Sequence, residues 1–190
     1  MKKTLKLPIF LAAVCLISTG VLAVVNEITA PIIATVELEK ANKGYLDILD
    51  LASLDSHNIA TVDTAETLSS KGILKKTTVT EKSNGDVYGI VYDAKVTGYA
   101  GPITFQVGFK AGKYAGFNNV SNTETATYGG IIINDLNELI AGIDASADTA
   151  TIYAAVKGNY TGKSASWSDI TVNALLNAFK LAATDYSASL

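Results

Sequence analysis

Hydrophobic positions dominate the start of the chain. Residues 7–25 (LPIFLAAVCLISTGVLAVV) form a run without a single charge. As a helix rising about 1.5 Å per residue, the run approaches the roughly 30 Å hydrocarbon thickness of a bilayer. Lys2, Lys3 and Lys6 precede the run and Glu27 follows it. The pattern predicts a single-pass transmembrane segment in residues 1–25, with a cytoplasmic N-terminus and an extracytoplasmic remainder.

The same run has an alternative interpretation as a cleaved signal peptide. Residues 19–23 (TGVLA) carry small side chains near a cleavage position. The apolar character continues through Val24 and Val25, and a helical pattern follows, which favours the membrane anchor. A secreted, free-standing protein remains the alternative, and the mature N-terminus would distinguish the two.

Residues 26–71 are predicted to be a juxtamembrane helix and a connector. Apolar positions recur at mostly helical spacing in residues 36–51, which predicts an amphipathic helix. Residues 50–71 are polar and mixed, with weak signals.

Period-2 patterns begin after residue 71, and residues 72–190 are predicted to form a separate domain. Strands are predicted at 77–82, 87–96, 103–109 and 114–120, and turn signals at 83–86 and 111–113 separate two of the pairs. In residues 103–109 one face carries Ile103, Phe105, Val107 and Phe109. This order predicts an antiparallel meander.

Helical spacing returns after the meander. A short amphipathic helix is predicted at residues 131–143. In the last helix Val172, Leu175, Leu176 and Phe179 recur at helical spacing, and Ser168 is a suitable N-cap. Together the elements predict an α+β domain with an antiparallel meander sheet and flanking helices.

Composition excludes several classes of function. The formal net charge is −3, all 15 basic residues are lysines, and nucleic-acid binding is therefore not expected. Cys15 is the only cysteine and His57 the only histidine. These counts exclude a Cys-ligated zinc or iron–sulfur site, an internal disulfide and a Ser-His-Asp triad, so neither a metal nor catalytic residues are predicted.

Three segments resemble the FMN-binding domain family, in particular the G subunit of the Rnf electron-transport complex and the related C subunit of the sodium-translocating NADH:quinone reductase. The first is the membrane exit at residues 25–33 (VNEITAPII). The second joins a G-Y-x-x-x-I strand entry at Gly98 to an E-T-P-G-L-G-like loop after the next hairpin. In that loop Glu124, Thr125 and Gly129 match, whereas Ala126 replaces the proline and Thr127 the first glycine.

The third segment is similar to the family's flavin-attachment motif, roughly Ser/Thr-Gly-Ala-Thr-x-Thr/Ser before the last helix. Aligning residues 163–168 (KSASWS) puts Ser166 at the hydroxyl that takes the FMN phosphate in a phosphoester. Lys163, Ser164 and Ser166 depart from the usual residues, and Tyr160 stands where an acidic residue is frequent. A second register would put Asp169 at the acceptor position, and aspartate cannot form that ester.

The resemblance implies an electron-transfer subunit of a membrane-bound Rnf-type, ion-translocating ferredoxin:NAD oxidoreductase. Such a subunit is an electron carrier rather than a stand-alone catalyst, and its partners are the other membrane subunits and the lipid bilayer. The cofactor is FMN, carried by an FMN-binding-like domain at residues 72–190 and linked at Ser166 or held without a covalent bond. The implied cofactor-binding residues are Ser164, Ala165, Ser166, Trp167, Ser168, Glu124, Thr125 and Gly129. The alternative is a structural or ligand-binding subunit that has lost its covalent flavin.

Overall fold

A computed structural model describes residues 6–160 and 167–189 of the chain. The elements are α1 (Lys6–Leu49), β1 (His57–Asp63), α2 (Glu66–Ser69), β2 (Ile73–Glu81), β3 (Val87–Thr97), β4 (Pro102–Lys110), β5 (Lys113–Asn122), α3 (Gly130–Ile140), α4 (Thr149–Asn159) and α5 (Asp169–Ser187). The chain divides into two compact units, Met1–Ala41 and Asn42–Leu190. The α+β class and the antiparallel meander are confirmed.

The described residues of the first unit, 6–41, are helical and belong to α1. The helix continues without a break to Leu49, so the amphipathic helix predicted at residues 36–51 is the end of a longer helix. Among the described residues, no helix is both long enough and apolar enough to cross a membrane. The predicted transmembrane segment is thus helical but not confirmed as a membrane span.

The second unit is built on a five-stranded antiparallel sheet in the order β1-β2-β3-β4-β5. Each strand pairs with its sequence neighbour, as hairpins require. One sheet face carries the main core. The four apolar residues predicted on one face of β4 are completely buried there, and the Phe105 ring lies 5.5 Å from that of Phe179 in α5.

The opposite sheet face receives the last turns of α1, through Tyr45, Ile48 and Leu49. Glycines make room for this close approach. A Cβ atom on Gly108 would lie 2.1 Å from Cγ2 of Ile48, and one on Gly89 would lie 2.6 Å from Cδ2 of Leu49. Covering both faces of the sheet explains why the middle of β3 and of β4 is buried.

Candidate functional site

The candidate site begins at the turn between β3 and β4. The amide of Gly98 donates to the carbonyl of Gly101 at 2.8 Å, which closes the turn. Gly98 is buried, and a Cβ atom there would lie 2.1 Å from Oε1 of Glu124. The turn therefore fits against a carboxylate from a different loop only because residue 98 has no side chain.

That carboxylate belongs to the loop between β5 and α3. Glu124 is 9% exposed, and its Oε1 accepts a hydrogen bond from the amide of Ala100 at 3.1 Å. The amide of Glu124 in turn donates to Oδ1 of Asn122 at 3.0 Å. Thr125 is exposed, and its carbonyl accepts from the amides of Tyr128 and Gly130, which folds the loop back into α3.

The second oxygen of Glu124 has no partner among the described residues. Oε2 is buried and makes no hydrogen bond. A Cβ atom on Gly129, whose φ is 78°, would lie 2.6 Å from this oxygen and 3.4 Å from Oγ1 of Thr171. Leaving a buried acceptor unsatisfied is unfavourable by about 1–3 kcal/mol, and more for a charged group. Such an oxygen is a natural acceptor for a donor group on a ligand.

The start of α5 is the third segment of the site, after the β3–β4 turn and the β5–α3 loop. Ser168 is the N-cap, since its Oγ accepts from the amide of Thr171 at 3.3 Å, as predicted. The hydroxyl of Thr171 lies 3.0 Å from the same Oγ and accepts from the amide of Tyr99 at 3.3 Å. Glu124 and Thr171 therefore each accept a hydrogen bond from a backbone amide of the turn after β3.

Two aromatic groups flank these polar contacts. The rings of Tyr99 and Tyr128 meet edge to face with centroids 5.6 Å apart, and Tyr99 is 60% exposed. Trp167 meets Tyr153 and Tyr160 at 5.7 Å and 5.4 Å. Lys157 of α4 lies 5.5 Å from the centroid of the Trp167 ring. Both groups present flat apolar surface beside hydrogen-bonding atoms.

Asp169 places a negative charge at the first turn of α5. Its Oδ1 accepts from the hydroxyl of Tyr153 at 2.5 Å and from Nε1 of Trp167 at 2.6 Å. These hydrogen bonds hold the pKa of Asp169 below its usual value, and the charge of Lys157 adds to the effect. The carboxylate is therefore ionised at neutral pH and fixes the indole of Trp167.

The predicted site residues fall into three groups. Glu124, Gly129 and Ser168 lie in the cluster just described, and Thr125 lies in its loop. Trp167 belongs to the neighbouring aromatic group. Ser164, Ala165 and Ser166 lie outside the described residues, so their assignment stays a prediction. No group of metal-ligating side chains occurs in the described ranges.

Sequence reasoning missed Thr171 as a member of the site and considered Asp169 only as the acceptor position of a second register. The position of Thr171, three residues after the N-cap Ser168, is where a capping side chain finds its amide, and this spacing was a usable signal. The role of Asp169 had no such signal, because its partners Tyr153 and Trp167 are brought together by the packing of α4 on α5.

Comparison with known families identifies the N-terminal part of the chain. Residues 1–47 match the RnfG N-terminal region. The predicted resemblance to the RnfG subunit is thereby confirmed for this part of the chain. No curated protein matches the chain. The RnfG match ends within α1, and therefore before the cluster around Glu124.

Proposed function

We propose that this chain is an electron-transfer subunit of a membrane-bound Rnf-type ferredoxin:NAD oxidoreductase, carrying FMN on an extracytoplasmic domain. The RnfG match over residues 1–47 supports the complex. The observation that carries the cofactor assignment is the buried, unpaired Oε2 of Glu124, at the junction of three segments. Two of these segments contain the motifs that resemble the FMN-binding family, and the third begins directly after the attachment motif.

The residues around Glu124 fit the ring and sugar portion of FMN. The unpaired Oε2 can accept a hydrogen bond from a ring N–H or a ribityl hydroxyl, and both groups are present in a flavin. Tyr99 and Tyr128 supply aromatic surface for a planar ring system. When bound, the flavin takes up and releases electrons, and the protein determines its position and tunes its potential. Glu124 and Thr171 would hold in place the turn after β3 that contributes Tyr99.

Ser166 and the residues at the start of α5 would hold the phosphate of FMN. On the proposed register it is esterified to Ser166, two residues before the N-cap Ser168. The N-terminus of α5 attracts an anion, whereas the ionised Asp169 repels one. Lys157 is 5.3 Å and 5.5 Å from the rings of Tyr153 and Trp167 and supplies a compensating cation beside Asp169.

Membrane attachment through α1 belongs to the same proposal. Large apolar side chains along this helix are exposed, namely Leu11, Val14, Leu16, Val21, Leu22 and Val25. A helix with apolar residues around its circumference is typical of a span in a lipid bilayer or of a buried helix. The lysines at positions 2, 3 and 6 favour a cytoplasmic N-terminus.

Intact-mass spectrometry of the protein from its native membranes tests the flavin assignment. The expected mass exceeds that of the chain by one FMN minus one water, and the denatured gel band is fluorescent under ultraviolet light. Ser166→Ala should abolish this addition, whereas the matched control Ser164→Ala should retain it. A protein that contains no flavin and cannot be loaded with any would exclude the carrier function.

Extraction and protease accessibility test the anchor. The chain should remain in membranes washed with alkaline carbonate and should retain Met1 or Lys2 at its terminus. Protease added from the extracytoplasmic side should digest residues of the second unit. A mature terminus near residue 24 in a soluble fraction would instead establish a cleaved, secreted protein.

A second candidate function is a structural or ligand-binding subunit that has lost its covalent flavin. The ionised Asp169 favours it, because this charge stands where a phosphate would approach the N-terminus of α5. Electron transfer through the complex that is unchanged by Ser166→Ala would support this candidate.

A further inference from the structure

Strand β1 is an edge strand with both faces exposed. It pairs with β2 over residues 57–63, and in the described part of the chain no other strand pairs with it. Each residue after His57 is exposed, including Ile59 at 40% and Val62 at 57%. Open edges are usually protected by proline, lysine, a bulge or an overlying element, and β1 contains no proline or lysine.

Hydrogen bonds at the two ends of β1 show which backbone groups face the open edge. The carbonyl of Ser56 accepts from the amide of Lys82, and the amide of Thr64 donates to the carbonyl of Leu74. Ser56 and Thr64 are both even-numbered, and the register of β1 with β2 is regular between them. Because backbone groups alternate along an antiparallel strand, the outward-facing N–H and C=O groups are those of His57, Ile59, Thr61 and Asp63.

We propose that β1 binds the β1 strand of a second copy of this chain, antiparallel, with the two-fold axis at Ala60. This register turns all four outward-facing residues into hydrogen-bonded pairs, because Ile59 then faces Thr61 and His57 faces Asp63 of the second copy. The strand is therefore complementary to itself in its backbone groups. At each end His57 would face Asp63 of the second copy, while the His57 ring also contacts the Tyr88 ring at 4.8 Å and its Nδ1 lies 3.0 Å from Oγ of Ser56 within the same chain.

The two faces of the strand are consistent with this pairing. Ala60 of each copy would lie on the axis, and Asn58 would face Val62 of the second copy. The result is one continuous sheet across two domains, in which exposed residues on both sides gain a neighbour. A two-fold interface of this kind uses the same surface on both subunits.

Cysteine crosslinking of the full-length protein in its membranes tests the register. In a Cys15→Ser background, Ala60→Cys would place two thiols across a non-hydrogen-bonded pair, with Cα atoms about 4.5 Å apart. This separation falls within the range of about 4.4–6.8 Å seen for disulfides. Copper phenanthroline, which accepts the two electrons of disulfide formation, should convert the chain to a species of twice its 19.9 kDa mass.

Asn58→Cys is the matched control, since it changes an equally exposed residue on the same face of β1. In the proposed register the two copies of residue 58 lie about 13 Å apart, four residues along the strand at about 3.3 Å each. Asn58→Cys alone should therefore not crosslink, but mixing it with Val62→Cys should. Equal crosslinking of Ala60→Cys and Asn58→Cys would overturn the register, and an adduct of any mass other than a dimer would overturn the second copy as partner.

Discussion

Oε1 of Glu124 accepts the amide hydrogen of Ala100 at 3.1 Å and so holds the turn after β3 against the loop after β5. The other oxygen of the same carboxylate is buried without a partner in the described residues. One side chain thus has a structural oxygen and a free one. This division allows the two roles to be separated by substitution.

Glu124→Gln should weaken flavin binding while preserving the fold. An amide oxygen can still accept from Ala100, but an NH2 group at the other position donates and cannot accept a hydrogen bond from a ligand. In a Ser166→Ala background, where binding is reversible, we expect the Kd for FMN to rise by roughly tenfold, equivalent to about 1.4 kcal/mol. Fluorescence titration measures this change.

Glu138→Gln, an exposed carboxylate on α3, is the control and should leave the Kd unchanged. An unchanged Kd in Glu124→Gln, with a wild-type melting temperature, would show that the free oxygen does not contact the flavin. Failure of the Ser166→Ala protein and the wild type alike to bind FMN would instead reject the proposed function.

Gly129→Ala should destabilise the domain by more than backbone strain alone. Gly129 and Gly142 have similar positive φ angles, 78° and 84°, but only at Gly129 would the new Cβ atom meet Glu124, at 2.6 Å from Oε2. At Gly142 the new Cβ atom would have no atom within 4 Å. Gly142→Ala should therefore lower the free energy of unfolding by about 1 kcal/mol, and Gly129→Ala by about 2 kcal/mol or more. Urea unfolding measures both, and equal losses would contradict the close contact.

Gly108→Ala should weaken the attachment of residues 45–49 to the sheet. Its Cβ atom would lie 2.1 Å from Cγ2 of Ile48, so the end of α1 must shift. We expect a loss of about 2 kcal/mol in the free energy of unfolding. The control Gly158→Ala, in α4 with no atom within 4 Å, should be neutral or stabilising by up to about 1 kcal/mol.

A double substitution tests whether Ile48 is the residue responsible. Ile48→Ala removes the methyl group that Gly108→Ala would meet, so the two costs should be less than additive. Strict additivity would mean that the alanine at position 108 acts through other contacts.

Asp185 should contribute stability that is lost in acid. Burial raises the pKa of this carboxyl, but hydrogen bonds from Tyr92 and Lys76 and the charge of Lys76 outweigh burial and leave the pKa below the usual 3.8. A pKa that is lower in the folded state stabilises the fold above the unfolded value, and this contribution disappears as the pH falls through the folded value.

Asp185→Asn should therefore lower the free energy of unfolding by about 1 kcal/mol at pH 7. The difference between the variant and the wild type should shrink as the pH falls below about 3.8. Unfolding by urea at several pH values measures the difference. Asp135→Asn, an exposed residue on α3, is the control. A stability difference between Asp185→Asn and wild type that is constant with pH would show that the charge of Asp185 is not involved.

The meander was predictable because its signals are local. Alternation in residues 103–109 and the Asn84-Gly85 turn require only near neighbours in the chain. Strand β1 was missed because its residues are exposed on both faces, so apolar and polar positions do not alternate. Helix α4 was also missed, since it buries only Ile152 and Val156 and its apolar stripe is short.

By itself the sequence determined the α+β class, the central strands, the last helix with its Ser168 cap, and the resemblance of the N-terminal part to RnfG. The strands and the helix depend on residue spacing within one element, whereas the resemblance depends on the residues of the matching segment itself. Only the tertiary structure decided that Glu124 meets Ala100, 24 residues away, and that Thr171 meets Tyr99, 72 residues away. Such contacts depend on how strands and helices pack, because a carboxylate at a given position carries no local information about which distant amide it will reach.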